Sequence, residues 1–433
     1  MSSGTISDTL PARFADLKRE IAASYPSFEE NVTRTWKEVI DQLKLVNAEI
    51  AKEGTNYIPQ VSFRDLDKLS EEEIERIKRR GCIVIRDVVS DEEAIKWRQD
   101  LQEFVAVNPD VDGNPIDDKQ FFMLYWTKPQ VLARAHPNVL AASVWLNNLY
   151  HCAKGDQADA ATHVDLSSPL TYADRFRIRK PGSHWKAFPP HLDGGSIERW
   201  EEPNFRQCFS AIFSGNWQKF DAYDIGGRVR SKHSLYGRPN QSTVFRTFQG
   251  WMSVSETAPG EGTLQVFPDV LLSDAYIMLR PFFRPILSIG SEGFYEAKNW
   301  EFDLVTSVFP GIFPDAKGGF SGPRMSLATH PHLELDRTMT SVPKVFPGDM
   351  VFWHGDVVHA VEEYHKGLGP SAVMFIPAVP STAQNIAYVE KQKEAFLKGR
   401  TPPDFPQNLK DGWVGIGKAD DITNPMGRRA MGL

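Results

Sequence analysis

Between about Phe14 and Glu53 the apolar residues Leu17, Ile21, Val32, Trp36, Ile40, Leu43, Val46 and Ile50 recur at mostly helical spacing, interrupted near Pro26. The pattern predicts two helices. "LSEEEIERIKRRG" opens on Ser70 with Glu73 three residues later, a capping box, and closes on Gly81 after a basic last turn, the punctuation of a short helix. "CIVIRDVV" is rich in branched residues and suits a buried strand. A second capping pair, Ser90 and Glu93, starts the next helix, and helical spacing returns over roughly Lys128 to Tyr150. "GDQADAATHVDLSSP" reads as a polar loop.

From Tyr172 the period changes. "RFRIRKPG", "STVFRTFQGWMSVSETAPGEGTLQVFP", "TSVPKVFPGDMVFWHGDVVHAV" and "SAVMFIPAVP" are short alternating or apolar runs separated by Gly, Pro and Asn, as expected of antiparallel strands. "APGEG" and "FPGDM" serve as turns. After Thr382 the pattern is helical to about Lys398 and ends in a Pro-rich stretch, "GRTPPDFPQNLKDGW", expected to wrap the surface. The expected architecture is mainly β with α: a helical region over residues 1–165 with one early strand, a β core over 166–381, and a helix plus wrapping tail over 382–433, packed together as one unit.

Composition narrows the function classes. At 433 residues, with 41% hydrophobic and 24% charged residues, the chain has ordinary globular usage. Its formal charge is -7 and its basic residues are dispersed, which argues against a nucleic-acid partner. No run approaches a membrane span, and three scattered cysteines form no disulfide framework or thiolate metal site, so a cytoplasmic protein acting on a small molecule is expected. Oligomeric state is left open.

The candidate chemistry lies in "FPPHLDGGSIERW". Residues two apart on an extended strand face the same side, so His191 and Asp193 can address one point. Gly194 and Gly195 let the backbone turn away and leave space in front of that point. Two histidines and a carboxylate on one face of an iron leave three positions open for a cosubstrate and dioxygen, although ligand type alone permits zinc as well. Two other His-x-Asp matches occur. His163 sits in the polar loop; His354 ends a predicted strand and suits a packed group. For the third ligand, His359 is favoured over His354 and over His365, which is expected in a solvated loop. "THPHLELD" offers a rival set of His330, His332 and Glu334.

At this point the chain resembles a known family: the non-haem iron and 2-oxoglutarate dioxygenases that carried a domain-of-unknown-function label, distant relatives of phytanoyl-CoA dioxygenases. The similar stretches are "GCIVIRDVVSDEEAIKWRQDL", "PHLDGGSIERW", "FRTFQGWMSVSETAPGEGTLQVFP", "FPGDMVFWHGDVVHAVEEYHKGLGPSAVMFIPAVP", "PPDFP" and "GRRAMGL", spanning most of Gly81 to Leu433 in the right order. The resemblance implies a double-stranded β-helix, or jelly roll, with His191, Asp193 and His359 holding Fe(II), and 2-oxoglutarate and O2 as cosubstrates. The implied reaction is hydroxylation of a small molecule with release of succinate and CO2.

One departure stands out. The wider superfamily often holds the far carboxylate of 2-oxoglutarate with an arginine about ten residues after the second histidine, and position 369 is glycine. A planar guanidinium elsewhere is the expected substitute, since it forms two parallel charged hydrogen bonds where lysine cannot. Candidates are Arg246, Arg177, Arg179 and Arg324. Arg246 comes first because it is expected within an apolar strand, where an unpaired cation is costly. Ser371 and Gln249 are expected to add hydrogen bonds to the cosubstrate, and Trp200, Trp251 and Trp353 to shape a planar pocket or fill the core. The missing arginine also keeps open a jelly-roll metalloenzyme that uses no 2-oxoglutarate; a third class, a metal-free binding or sensor module, applies if the histidines are ordinary polar groups.

Overall fold

Helices Arg13–Ala23 and Phe28–Glu53 occupy the predicted N-terminal segment, broken at Ser24–Ser27. The computed structural model describes residues 10–433 apart from 153–163, 187, 239–240, 317, 408 and 411. The long second helix buries Val32, Trp36, Ile40, Leu43 and Ile50. It packs on a nearly fully buried helix, Val270–Leu279. Trp36 stacks on Phe283, with centroids 4.4 Å apart, and on Tyr276 at 5.4 Å. Each such pair adds about 0.5–1.5 kcal/mol beyond area burial. Helix Glu71–Arg80 has the reciprocal Ser70/Glu73 box and ends on Gly81 at φ 65.

The strand Cys82–Arg86 enters an eight-stranded sheet. Its neighbours, in spatial order from the outer edge, are Gln60–Ser62, Cys82–Arg86, Met350–His354, Phe248–Ser253, Ser371–Phe375, Phe176–Arg179, Phe121–Phe122 and Gly113–Asn114. All pairings but the first, which is parallel, are antiparallel. A second sheet joins Thr340–Ser341, Leu264–Val266 and His359–Val361.

Register decides which side chains meet. Directly opposed residues of antiparallel strands share a face. The pairs Trp353↔Gln249, Trp251↔Phe375, Val373↔Arg177, Ser371↔Arg179 and Arg177↔Phe121 therefore place Trp353, Gln249, Trp251, Phe375, Ser371, Arg177 and Arg179 on one side. Gly250, between Gln249 and Trp251, lies on the other side, where a Cβ would sit 2.3 Å from a ring carbon of Phe352. The main core runs from Leu10 to Ala378, and a smaller cluster joins Tyr125, Tyr172 and Val379 to the C-terminal residues Tyr388, Phe396, Phe405 and Met431.

Three expectations need correction. The chain is mixed rather than mainly β, at 39% helix and 18% strand, with no closed barrel among the described residues. The helices Glu198–Glu201, Pro203–Gln207, Ser210–Phe213 and Val270–Leu279 lie inside the span expected to be β; their apolar residues are buried on several sides and show no clean period. The end of the expected polar loop, Val164–Leu170, is a strand paired with Val379–Thr382. The helical stretch from Lys128 divides into Lys128–Ala135 and Pro137–Asn147, because the residue before proline is pushed out of the helical region and His136 takes φ -63, ψ 130. Among the described residues no helix is long and apolar enough to cross a membrane.

Candidate metal centre and its cavity

His191 forms antiparallel bridges with both His359 and Arg324. Its backbone exchanges two hydrogen bonds of 3.0 Å with that of His359, so the two imidazoles are set side by side, with ring centroids 4.3 Å apart. The chain then turns through Gly194 at φ 74 and Gly195 at φ 113, conformations that L side chains rarely adopt. Asp193 closes the group: its carboxylate lies 3.6 Å from His191 Nε2 and 3.4 Å from His359 Nε2. One ligand atom from each residue lies within 4.8 Å of the others, the sole such group of three among the described residues.

The donor chemistry fits a divalent metal. His191 Nδ1 bonds the Pro189 carbonyl at 2.7 Å and His359 Nδ1 the Val357 carbonyl at 3.0 Å. Those bonds place the protons on Nδ1 and turn both Nε2 lone pairs toward Asp193. Burial, then the neighbouring His359, pushes the His191 pKa down to about 4, so it is neutral at physiological pH. Desolvation alone would raise the Asp193 pKa, but His191 and then His359 outweigh it and hold the carboxyl well below the usual range. Metal bonds of about 2.1 Å set ligand atoms roughly 3 to 3.5 Å apart, close to what is observed.

A buried ion cluster lies behind this loop. Arg199 Nη2 donates to the Asp193 carbonyl at 2.9 Å, while its Nη1 bonds Asp356 at 2.5 Å. Arg228 meets the other Asp356 oxygen at 2.6 Å, and all three side chains are 1–5% exposed. Burial would raise the Asp356 pKa, yet Arg228 and Arg199 outweigh it and keep the carboxylate ionised. The His-x-Asp match at 354–356 is thus part of the loop's support: His354 bonds the Ala222 carbonyl and accepts from the Asp356 backbone N–H.

In front of the triad is a cavity of about 520 Å³, a ligand-sized volume. Both sheets line it, through Gln249, Trp251, Trp353 and Phe375 on one side and Leu264, His359 and Val361 on the other. Arg177 is buried within it, and its one hydrogen bond among the described residues goes from Nη2 to the Gly262 carbonyl at 3.3 Å. Burial, then Arg179, lowers the Arg177 pKa to about 9. The Gln249 Nε2 is buried with no partner among the described residues.

The other expected residues are placed as follows. Arg246 lines the cavity, but from a loop preceding the strand Phe248–Ser253; it is half-buried, so the strand-based reason for ranking it first does not hold. Ser371 is buried with an unpartnered hydroxyl and does not line the cavity. Arg179 is occupied by the carbonyls of Glu362 and Glu363. Arg324 lines the cavity and is exposed. Trp251 and Trp353 line the cavity, whereas Trp200 is a core residue bonded to the Met278 carbonyl. His365 is buried rather than solvated, accepting from the Gly367 backbone. His330 and His332 pack among Tyr276, Trp36 and Trp300, with no third ligand gathered to them among the described residues. His163 lies outside the described residues.

Sequence reasoning missed Tyr172, the ion pairs Arg175–Asp174 and Arg238–Asp315, and Phe405, all of which line the cavity. Of these only Phe405 carried a signal, through the "PPDFP" stretch.

Comparison with known proteins shows similarity along the length of the chain. A protein of Escherichia coli K12, YbiU, is 30% identical over 451 residues and the match covers 100% of both chains. The crystal structure of GlcNAc Inducible Gene 2 from Candida albicans superposes with a TM-score of 0.86 at 33% identity, covering 98% of this chain and 90% of that one. The crystal structure of the E. coli protein JW0805 gives 0.78 at 30% identity and covers 99% of each. With the family match running over residues 8–433, the chain belongs to the Gig2-like family.

Proposed function

We propose that the protein is a non-haem Fe(II)- and 2-oxoglutarate-dependent oxygenase that hydroxylates a small molecule. The observation that carries this reading is the gathering of His191, Asp193 and His359, with both Nε2 atoms freed by backbone hydrogen bonds, at a cavity that also holds a buried guanidinium without a carboxylate partner. In this reading the two sheets that share the cavity are an open form of the double-stranded β-helix.

Bound at the triad, ferrous iron would couple decarboxylation of 2-oxoglutarate by dioxygen to oxidation of a substrate C–H bond, giving succinate, CO2 and an alcohol. The single carboxylate among the ligands leaves Fe(II) with net positive charge, which favours an anionic cosubstrate. Arg177 is the anchor for the far carboxylate: a buried guanidinium bonded to one long carbonyl contact gains most from a bidentate anion. Gln249 offers its unpartnered N–H groups to the same ligand. Trp251, Trp353 and Phe375 make the wall apolar and limit water at the reacting position.

The test is anaerobic loading with Fe(II) followed by addition of 2-oxoglutarate and air. Slow substrate-free release of succinate is expected from the wild type. Asp193→Ala is expected to lose stoichiometric iron and succinate release together; a variant that keeps both sinks the assignment.

A further inference from the structure

Guanidinium groups outnumber carboxylates on the cavity lining. Five guanidinium groups line it, those of Arg175, Arg177, Arg238, Arg246 and Arg324, against three carboxylates, those of Asp174, Asp193 and Asp315. Arg175 pairs with Asp174 at 2.8 Å and Arg238 with Asp315 at 2.7 Å. Asp193 belongs to the metal centre. Three guanidiniums remain, and 2-oxoglutarate employs one of them, Arg177. Arg324 is exposed and water can solvate it. Arg246 is different: it is half-buried, and although the charges of Asp193 and Asp404 act on it through space, its guanidinium has no hydrogen-bonded or ion-paired carboxylate among the described residues. Its surroundings are aromatic. The guanidinium carbon lies 5.9 Å from the Tyr172 ring centroid, and Tyr172 and Phe405 sit 6.0 Å apart on the same wall.

The carboxylate of that wall is already engaged. Asp404 accepts from Tyr172 Oη at 3.0 Å, from the Thr243 backbone N–H at 2.9 Å and from Thr243 Oγ1 at 2.8 Å. A guanidinium partly removed from water, next to flat rings and facing a ligand-sized space, is a site for an oxyanion that arrives on a planar body.

We propose that Arg246 docks an oxyanion, carboxylate or phosphate, carried by the substrate, whose flat portion lies along Tyr172 and Phe405. The substrate is then a small organic acid or phosphate ester with a ring or other planar part. This assignment rests on the oxygenase reading, in which Arg177 and not Arg246 anchors the cosubstrate.

The experiment uses the full-length protein loaded with Zn(II). By calorimetry, 2-oxoglutarate is titrated first; benzoate, phenyl phosphate and neutral benzamide are then titrated onto the 2-oxoglutarate complex. One of the two anions is expected to bind the wild type, and which one binds identifies the group. Arg246→Gln is expected to weaken that anion by about tenfold or more, and Arg246→Lys by less, since a point charge replaces a bidentate fork. Benzamide is expected to bind both proteins alike, and 2-oxoglutarate affinity to change by less than about threefold. Loss of 2-oxoglutarate binding in Arg246→Gln, with an unchanged unfolding temperature, makes Arg246 the cosubstrate anchor and overturns the proposal. So does equal anion binding by wild type and variant, or no anion binding at all. If the zinc-loaded wild type does not take up 2-oxoglutarate, the oxygenase reading fails, and the same anion titrations without 2-oxoglutarate still decide the role of Arg246.

Discussion

Among single residues, Arg177 makes the sharpest demand on its surroundings. It is 3% exposed, and among the described residues its Nε has no hydrogen-bond partner and its one hydrogen bond goes to a backbone carbonyl, with Glu362 acting on it only through space. A buried cation so poorly satisfied is destabilising unless a ligand completes it. Arg177→Gln is therefore expected to weaken 2-oxoglutarate binding by about ten- to a hundredfold while leaving metal content intact, as calorimetry and metal analysis on the same preparation would show. The variant is also expected to be no less stable than the wild type, because it removes an unpaired charge. A large loss of stability with unaltered 2-oxoglutarate affinity would mean that the guanidinium is structural.

At the scale of elements, the metal loop depends on a cluster that holds no metal ligand of its own. Arg199 links the Asp193 carbonyl to Asp356, and Arg228 closes the far side. Removing the carboxylate leaves two guanidiniums buried together, so Asp356→Ala is expected to lower unfolding free energy by about 3–5 kcal/mol. The milder Asp356→Asn is expected to weaken iron affinity, read by competition with a chelator, more than it lowers stability, because the fault it introduces lies directly behind the ligand loop. Parts of this arrangement are legible in the sequence. His191 and Asp193 follow from strand alternation and the paired glycines, and His359 from its place after a turn and an aromatic strand. The supporting arginines are not legible: Arg199 and Arg228 lie on short helices whose residues are buried on several sides, and a charge that meets its partner through a contact more than a hundred residues away leaves no local pattern. The anchor is similarly hidden. Arg177 faces the cavity because Phe176–Arg179 pairs with Ser371–Phe375 in one register, and register is a property of two segments together.

Across the molecule, the buried histidines set the response to acid. Burial pushes the pKa values of His233, His332 and His354 down to about 3, and that of His330 well below its ordinary value. An unfolded chain binds those protons below about pH 6.5, whereas the folded chain does not until near pH 3. Their contribution is fully present above pH 6.5 and is lost as pH falls through that window, at up to about 1.4 kcal/mol per group per pH unit. Asp274, whose pKa is raised by burial and then by Asp356, acts in the opposite direction, as do Asp269, Glu198 and Asp404, each raised first by burial, while His136, His191 and His365, each lowered first by burial, add to the histidine side. The unfolding temperature is expected to change little between pH 7.5 and about pH 6.5 and then to fall toward pH 5; a flat or rising profile below about pH 6.5 would contradict the neutral, buried state of these rings.

The wall made by Tyr172 and the tail residues has a further consequence for how the site comes into being. Phe405 completes a cavity whose other lining begins at Phe121, and Asp404 beside it holds the Tyr172 hydroxyl. During synthesis the pocket therefore cannot close until residue 405 has left the ribosome, and any shortened product that ends before residue 400 would lack one side of the chamber while still carrying His191, Asp193 and His359. In the proposed oxygenase, an ion held by such a fragment would face an open cleft in place of a walled chamber.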